Sequence, residues 1–255
     1  MIDEMIRCKN LESCDKIETI HEWFYKCPPQ GKLKHWKDGR SAKETAKHWL
    51  HTIPPPFKDF LKTHQFKYLL CSPEFVSKLD SYKGNGRNHD LLILAQTVTK
   101  ENVVISIESK VDESFGNTIS DSIKIANAAF EKNSKSKALD RIKELRESLF
   151  GEENDNQLEL RYQLVTAVAG TIAEAKVQKV KSAIFMVQTF ISGEIIKKMH
   201  DQNVDDLNKF LTVFSKKKYS QIENNELFGP IRIAKSNGFL SDAINLWIGK
   251  YEIEI

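Results

Sequence analysis

Two apolar, β-branched runs, Leu91-Leu92-Ile93-Leu94-Ala95 and Val103-Val104-Ile105-Ser106-Ile107, flank the polar turn Lys100-Glu101-Asn102. This pair constrains the fold more than any other stretch. Each run has the length of a strand, and the short polar connection joins them as an antiparallel hairpin. Upstream, Gly84-Asn85-Gly86-Arg87-Asn88 is turn chemistry that sets Asp90 at the mouth of the first strand. Downstream, the second strand continues into Glu108-Ser109-Lys110.

Around the hairpin the pattern changes to that of helices. Leu11 to Tyr25, Ser41 to Leu50, Phe57 to Thr63, Ile119 to Lys132, Lys137 to Phe150, Leu158 to Gln178 and Glu194 to Lys218 read as helical. Phe66 to Cys71 and Ser182 to Ile191 read as further strands, and the alternation of Tyr251, Ile253 and Ile255 predicts a terminal edge strand. Phe75 to Leu79 fits either state. Helices and strands intermixed in this way predict an α/β fold with a mixed central sheet.

Length and composition then exclude several classes. A chain of 255 residues with 40% hydrophobic and 29% charged residues has material for a core and holds one domain or two. Its longest apolar stretch, Ala183 to Ile191, is broken by Gln188 and Thr189 and falls short of a membrane span. Met1 to Asn10 carries no secretory pattern, so a cytoplasmic protein without membrane contact is expected. Cys8, Cys14, Cys27 and Cys71 form no CxxC pair and read as reduced thiols. A net charge of +3 does not announce a nucleic-acid binder, so any such role rests on local patches. No GxxxxGK[ST], GxGxxG or GxSxG string occurs.

The chemistry is concentrated at the hairpin's end. Side chains two apart on a strand share a face, which places Glu108 beside Lys110, and the antiparallel partner brings Asp90 toward them. Two carboxylates there suit a hard divalent cation, and an ammonium beside them suits a phosphate or an attacking water.

Asp90, seventeen intervening residues, then Glu108-Ser109-Lys110 and a following helix resembles the core motif of the PD-(D/E)XK nuclease superfamily. His89 stands where that motif has Pro. With Gly39 to Glu44 and Lys110 to Gly116, the chain is similar to an uncharacterised bacterial branch of that superfamily. The resemblance implies a restriction-endonuclease-like core over 41–191, with a mixed central sheet flanked by helices. A helical N-terminal extension over 1–40 and a C-terminal helix and strand extension over 192–255 complete one α/β domain. It also implies a Mg²⁺-dependent nuclease, with Mn²⁺ as a substitute and DNA as the expected nucleic acid. Asp90, Glu108 and the Ser109 carbonyl become metal ligands, Lys110 stands beside the water, and a homodimer is left open. A second acidic-x-Lys string, Glu174-Ala175-Lys176, lies in a helical stretch that splays its ends apart. The alternative is a catalytically silent module of the same fold in a bacterial defence or DNA-processing assembly.

Supporting residues carry two readings each. Glu44 is a further metal ligand or the partner of Ser41 in a capping box. Glu113 reaches the metal or opens a polar loop. Gln163 contacts the lysine or a phosphate, or, like Arg161, is a solvated helix position. His89 binds phosphate or is a turn residue. Lys37, Arg40 and Lys43 around Trp36, with Lys137 and Arg141, are nucleic-acid contacts or solvated faces.

Overall fold

The computed structural model describes residues 4–9, 11, 15–82, 84–191, 197–216, 221–233 and 244–255. Its strands are β1 (Glu4–Arg7), β2 (Phe66–Ser77), β3 (Arg87–Thr97), β4 (Asn102–Lys110), β5 (Ser182–Ile191), β6 (Leu227–Ile233) and β7 (Ile244–Glu254). Its helices are α1 (Ile20–Lys26), α2 (Ser41–Trp49), α3 (Pro55–Thr63), α4 (Ile119–Lys132), α5 (Ala138–Phe150), α6 (Tyr162–Val177) and α7 (Lys197–Ser215). The strands form one seven-stranded sheet in the order β1-β2-β3-β4-β5-β7-β6.

The sheet is mixed for a topological reason. β2, β3 and β4 follow one another without an intervening helix and pair antiparallel, whereas the helices α4 to α6 between β4 and β5 return the chain parallel. α7 then carries the chain to β6 and β7, and β7 pairs parallel to β5. β4 is buried from Val103 to Lys110 and β5 from Ala183 to Phe190, as expected of central strands covered on both faces.

Each face has its own core. Leu92, Val104, Phe185 and Ile248 pack with α4, α5, α6 and α7, while Leu69, Ile105, Met186 and Tyr251 pack with α1, α2 and α3. The protein is therefore an α/β sandwich of three layers. α6 is apolar nearly all round and buried along most of its length, so it is the inner helix of its layer.

Two expectations are corrected and one open reading is decided. The N-terminal segment is not purely helical: β1 pairs parallel to β2, and α1 starts at Ile20 because Thr19 and Glu22 form a reciprocal cap. Of the expected Leu11 to Tyr25 helix, Leu11 and 15–19 are not helical, and residues 12–14 lie outside the described residues. The last strand is not an edge. β7 lies between β5 and β6, with Leu246 and Ile248 in one core and Tyr251 and Ile253 in the other, so the alternation noticed in sequence showed only half of its burial. Finally, β2 runs through Pro73 to Ser77, which settles Phe75 to Ser77 as strand. Pro73 is accommodated because β1 pairs only with Tyr68 to Cys71.

The thiols of Cys8, Cys27 and Cys71 are buried, and burial pushes Cys27 and Cys71 up to about 12. Cys14 and both ends of the expected Glu194 to Lys218 helix, at 194–196 and 217–218, lie outside the described residues. Among the described residues no helix is long and apolar enough to cross a membrane.

Candidate active site

The hairpin delivers its polar end as the register requires. Leu91 pairs with Ile107, so the next position on each strand sets Asp90 against Glu108. The turn stops at Gly86, since β3 begins at Arg87 and so takes in Arg87 and Asn88, which the composition assigned to the turn.

A break in alternation then shapes the site. Leu91, Ile93 and Ala95 face the α1 to α3 layer, yet Arg87 and His89, of the same parity, lie against Gly170 of α6 in the opposite layer. The reversal falls at Asp90, across from Glu74, which has φ 48° between Pro73, the partner of Leu91, and Phe75, the partner of His89. A Cβ on Gly170 would stand 2.7 Å from His89 Nε2 and 2.9 Å from Arg87 Cγ, so only glycine admits both side chains. His89 is accordingly buried in a strand, a correction to its reading as a turn residue. Burial first, and Arg87 second, hold its imidazole well below the usual range.

At the centre, Glu108 is almost fully enclosed, with 3% of its side chain exposed. Its Oε1 accepts Lys110 Nζ at 2.9 Å and also Gln163 Nε2, and its Oε2 accepts the guanidinium of Arg87. Burial pushes this carboxyl up, but Arg87 and Lys110 outweigh it and leave the group below its ordinary value. Lys110 Nζ also donates to Gln163 Oε1 at 3.1 Å and lies 5.2 Å from the centre of the Phe115 ring.

Asp90 behaves oppositely. Its Oδ2 accepts the Ser109 N–H at 2.6 Å, but burial, then the charges of Glu108 and Glu74, hold it well above the usual carboxylate range. Glu74, which accepts Asn88 Nδ2, is raised to about 7 by burial, with Glu108 adding to the rise. Glu74, Asp90 and Glu108 line one cavity, and their donor atoms are all oxygen, the set a hard cation prefers. Among the described residues no group of three or more His, Cys, Asp or Glu side chains is arranged to hold a metal, so the fit rests on two carboxylates and a backbone carbonyl.

Ser109 points to the other face, where Thr45 Oγ1 donates to its Oγ at 2.8 Å and Gln188 Nε2 at 2.9 Å. Gln188 Oε1 in turn accepts Trp49 Nε1 and the Tyr251 hydroxyl. This satisfied, buried network fixes the strand beneath the acidic pair.

Asp90, Glu108, Ser109, Lys110, Glu113 and Gln163 line one cavity of about 550 Å³ whose rim includes Lys34, His35, Lys37 and Arg40. Glu113 accepts Ser41 Oγ and the amides of Val111 and Asp112, and Ser41, the charge of Lys110 and the Val111 amide hold it below its ordinary value despite burial. A second cavity of about 630 Å³, lined by Leu79, Asn85, Phe115, Arg141 and Tyr162 among others, shares Glu74, Arg87, Asn88, Gly116 and Gln163 with the first.

Other expected residues lie elsewhere. The capping box fails because Arg40, not Ser41, is the N-cap of α2, and Ser41 donates to Glu113. Glu44 accepts Gly39 N and Lys47 Nζ, each at 2.8 Å, and is not part of the cavity wall. Lys43 pairs with Asp38 and Lys137 with Asp140, both on exposed surface. Arg40 is at the rim but paired with Asp112 at 2.7 Å, and Arg141 holds Asp80 in the second cavity. Arg161 is the N-cap residue of α6 and pairs with Asp206, so it is not a solvated helix position. Glu174 of the second acidic-x-Lys string is buried and accepts Ser77 Oγ and Gln178 Nε2, away from this cavity.

Sequence reasoning missed Arg87, which contacts Glu108 across 21 positions, and Glu74. A signal existed only for Arg87: it is the basic residue nearest the mouth of the acidic strand.

The family model described as a domain of unknown function, DUF6946, matches residues 16–254, and the chain belongs to that family. No curated protein and no solved structure matches it.

Proposed function

We propose that this DUF6946 member is a metal-dependent nuclease with a restriction-endonuclease-like core, hydrolysing phosphodiester bonds of nucleic acid, DNA foremost. One observation carries the reading: Asp90, Glu108 and Lys110 meet in a single cavity, with Lys110 Nζ 2.9 Å from Glu108 and the Ser109 amide on Asp90. The order of α2, the antiparallel β2, β3 and β4, the helices α4 to α6 and the parallel β5 supports it.

Asp90, Glu108 and the Ser109 carbonyl are the ligands for Mg²⁺ or Mn²⁺, which when bound supplies a Lewis acid for the phosphate and acidifies a water. The chain's own residues do the rest. An ammonium has three donors, and among the described residues two of Lys110's are taken by Glu108 and Gln163. The third is available to orient an attacking water or to meet charge growing on a phosphate oxygen. Gln163 bridges Lys110 and Glu108 and fixes where that donor points. Lys34, Lys37 and Arg40 at the rim attract the phosphate backbone.

A second reading, the catalytically silent binding module, is favoured by a specific observation. Both Glu108 oxygens are already occupied, by Arg87 on one side and by Lys110 and Gln163 on the other. The two readings part in a calorimetric titration of Mg²⁺ and Mn²⁺ into the wild type and Glu108→Gln. Binding that the variant loses supports the nuclease. No binding, together with salt-dependent nucleic-acid affinity indifferent to chelator, supports the module.

A further inference from the structure

Arg87 holds Glu108 in a way that leaves room for exchange. The two cations on this carboxylate divide its oxygens: Lys110, with Gln163, takes Oε1, and Arg87 takes Oε2. A cation arriving at Oε2 therefore competes with Arg87 alone and leaves the Lys110 and Gln163 contacts in place.

The grip of Arg87 is also incomplete. Its Nε is buried without a hydrogen-bond partner among the described residues. An arginine serving only to neutralise a carboxylate commonly uses its fork of donors together, so this leftover donor marks a guanidinium with unused capacity for an anion. Position adds to this. Arg87 begins β3, ahead of the stretch from Leu91 onward that pairs with β4, so its side chain can shift without opening that ladder. It also stands on the wall common to both cavities, where an anion bound in either is within its reach.

We infer that Arg87 is the phosphate-binding residue of this site, held on Glu108 Oε2 until a divalent cation takes that oxygen and then turned to the phosphodiester. Arg87 so keeps the buried carboxylate neutralised in the free protein and couples nucleic-acid binding to cation loading. The inference rests on the nuclease reading for the identity of the anion, and on the structure alone for the competition at Oε2.

The test is calorimetric titration of Mn²⁺, without nucleic acid, into the wild type, Arg87→Gln, Arg87→Lys and Glu108→Gln. It is paired with binding of a fluorescent single-stranded DNA in EDTA and in Ca²⁺. If Arg87 occupies Oε2 in nine molecules of ten or more, Arg87→Gln binds Mn²⁺ about tenfold tighter or better. Arg87→Lys then stays near the wild type, and the gain in DNA affinity on adding Ca²⁺ disappears in Arg87→Gln. Equal or weaker Mn²⁺ binding by Arg87→Gln, with wild-type binding intact, overturns the exchange and leaves the nuclease reading standing. Binding by Arg87→Gln but not the wild type supports the exchange while removing the resident cation. Binding by neither overturns both. A crystal structure of the wild type with Mn²⁺ decides the matter without a variant: Arg87 still on Oε2 beside a bound ion refutes the inference.

Discussion

Replacing Asp90 with Asn is predicted to stabilise the protein at pH 8 while abolishing hydrolysis. Asp90 is half-buried beside two other carboxylates, and its pKa is held well above the usual value by desolvation and by Glu108 and Glu74. The opposing contribution is the Ser109 amide at 2.6 Å. An amide oxygen at residue 90 still accepts that N–H, and exchanging a charged for a neutral acceptor forfeits about 1 kcal/mol. The raised pKa means that the repulsive and desolvation contributions exceed what this hydrogen bond and Lys110 return. The sign follows from linkage. A carboxyl whose folded pKa lies above its unfolded value adds stability below the unfolded value, and loses it as pH rises through the folded one. Ionisation of Asp90 is therefore a net penalty to the fold that grows as pH rises. A gain of about 1–2 kcal/mol is expected for Asp90→Asn, in line with relief of strained functional sites, and corresponds to roughly 2–8 °C in Tm at this chain length. Urea unfolding in EDTA at pH 8, 6 and 4 measures it, and the advantage of the variant should shrink steadily toward pH 4. A variant less stable than the wild type at pH 8, or an advantage that grows on acidification, would show that Asp90 serves the fold and not the site.

Other perturbations test neighbouring parts of the account. Gly170→Ala gains about 1 kcal/mol of helix propensity but drives a methyl into His89 and Arg87 at 2.7 and 2.9 Å; overpacking of about 1–3 kcal/mol outweighs the gain. A lowered urea midpoint is expected, and an unchanged or raised one would refute the packing. Gln188→Leu strands the Trp49 N–H and the Tyr251 hydroxyl in the core, with a predicted loss of about 2–4 kcal/mol; a thermal melt within a degree of the wild type would contradict it. Removing both cations from Glu108, as Arg87→Met with Lys110→Met, should destabilise by clearly more than the sum of the single changes, since either cation alone still compensates the carboxylate. Additive losses in a double-mutant cycle would refute that shared role.

What the sequence disclosed, and what it hid, follows from the range of the interactions involved. The β3–β4 hairpin was legible because its period, its turn and its polar end all lie within 24 residues, Arg87 to Lys110. That local pattern also sufficed to place Asp90 against Glu108 and Lys110. For Gln163, 53 positions from Lys110, the resemblance offered contact with the lysine or a phosphate, but its helical pattern spoke for a solvated position, and only the structure places it on Lys110. Arg87 and Glu74 were hidden by a reversal of strand alternation at Asp90, which no two-residue period can show. The capping box at Ser41 misled because Ser41 finds a better partner in Glu113, 72 positions on. β1 is four residues long and exists by pairing with β2, so tertiary context makes it.

The most direct test of the central claim is a cleavage assay. Wild-type protein and Lys110→Met are incubated with end-labelled single- and double-stranded DNA and RNA in Mg²⁺, in Mn²⁺ and in EDTA. The account predicts cation-dependent cutting by the wild type, none in EDTA, and a loss of at least about 100-fold in Lys110→Met with its fold unchanged by circular dichroism. Cutting that survives in Lys110→Met, or no cutting of any substrate with either cation, would contradict it.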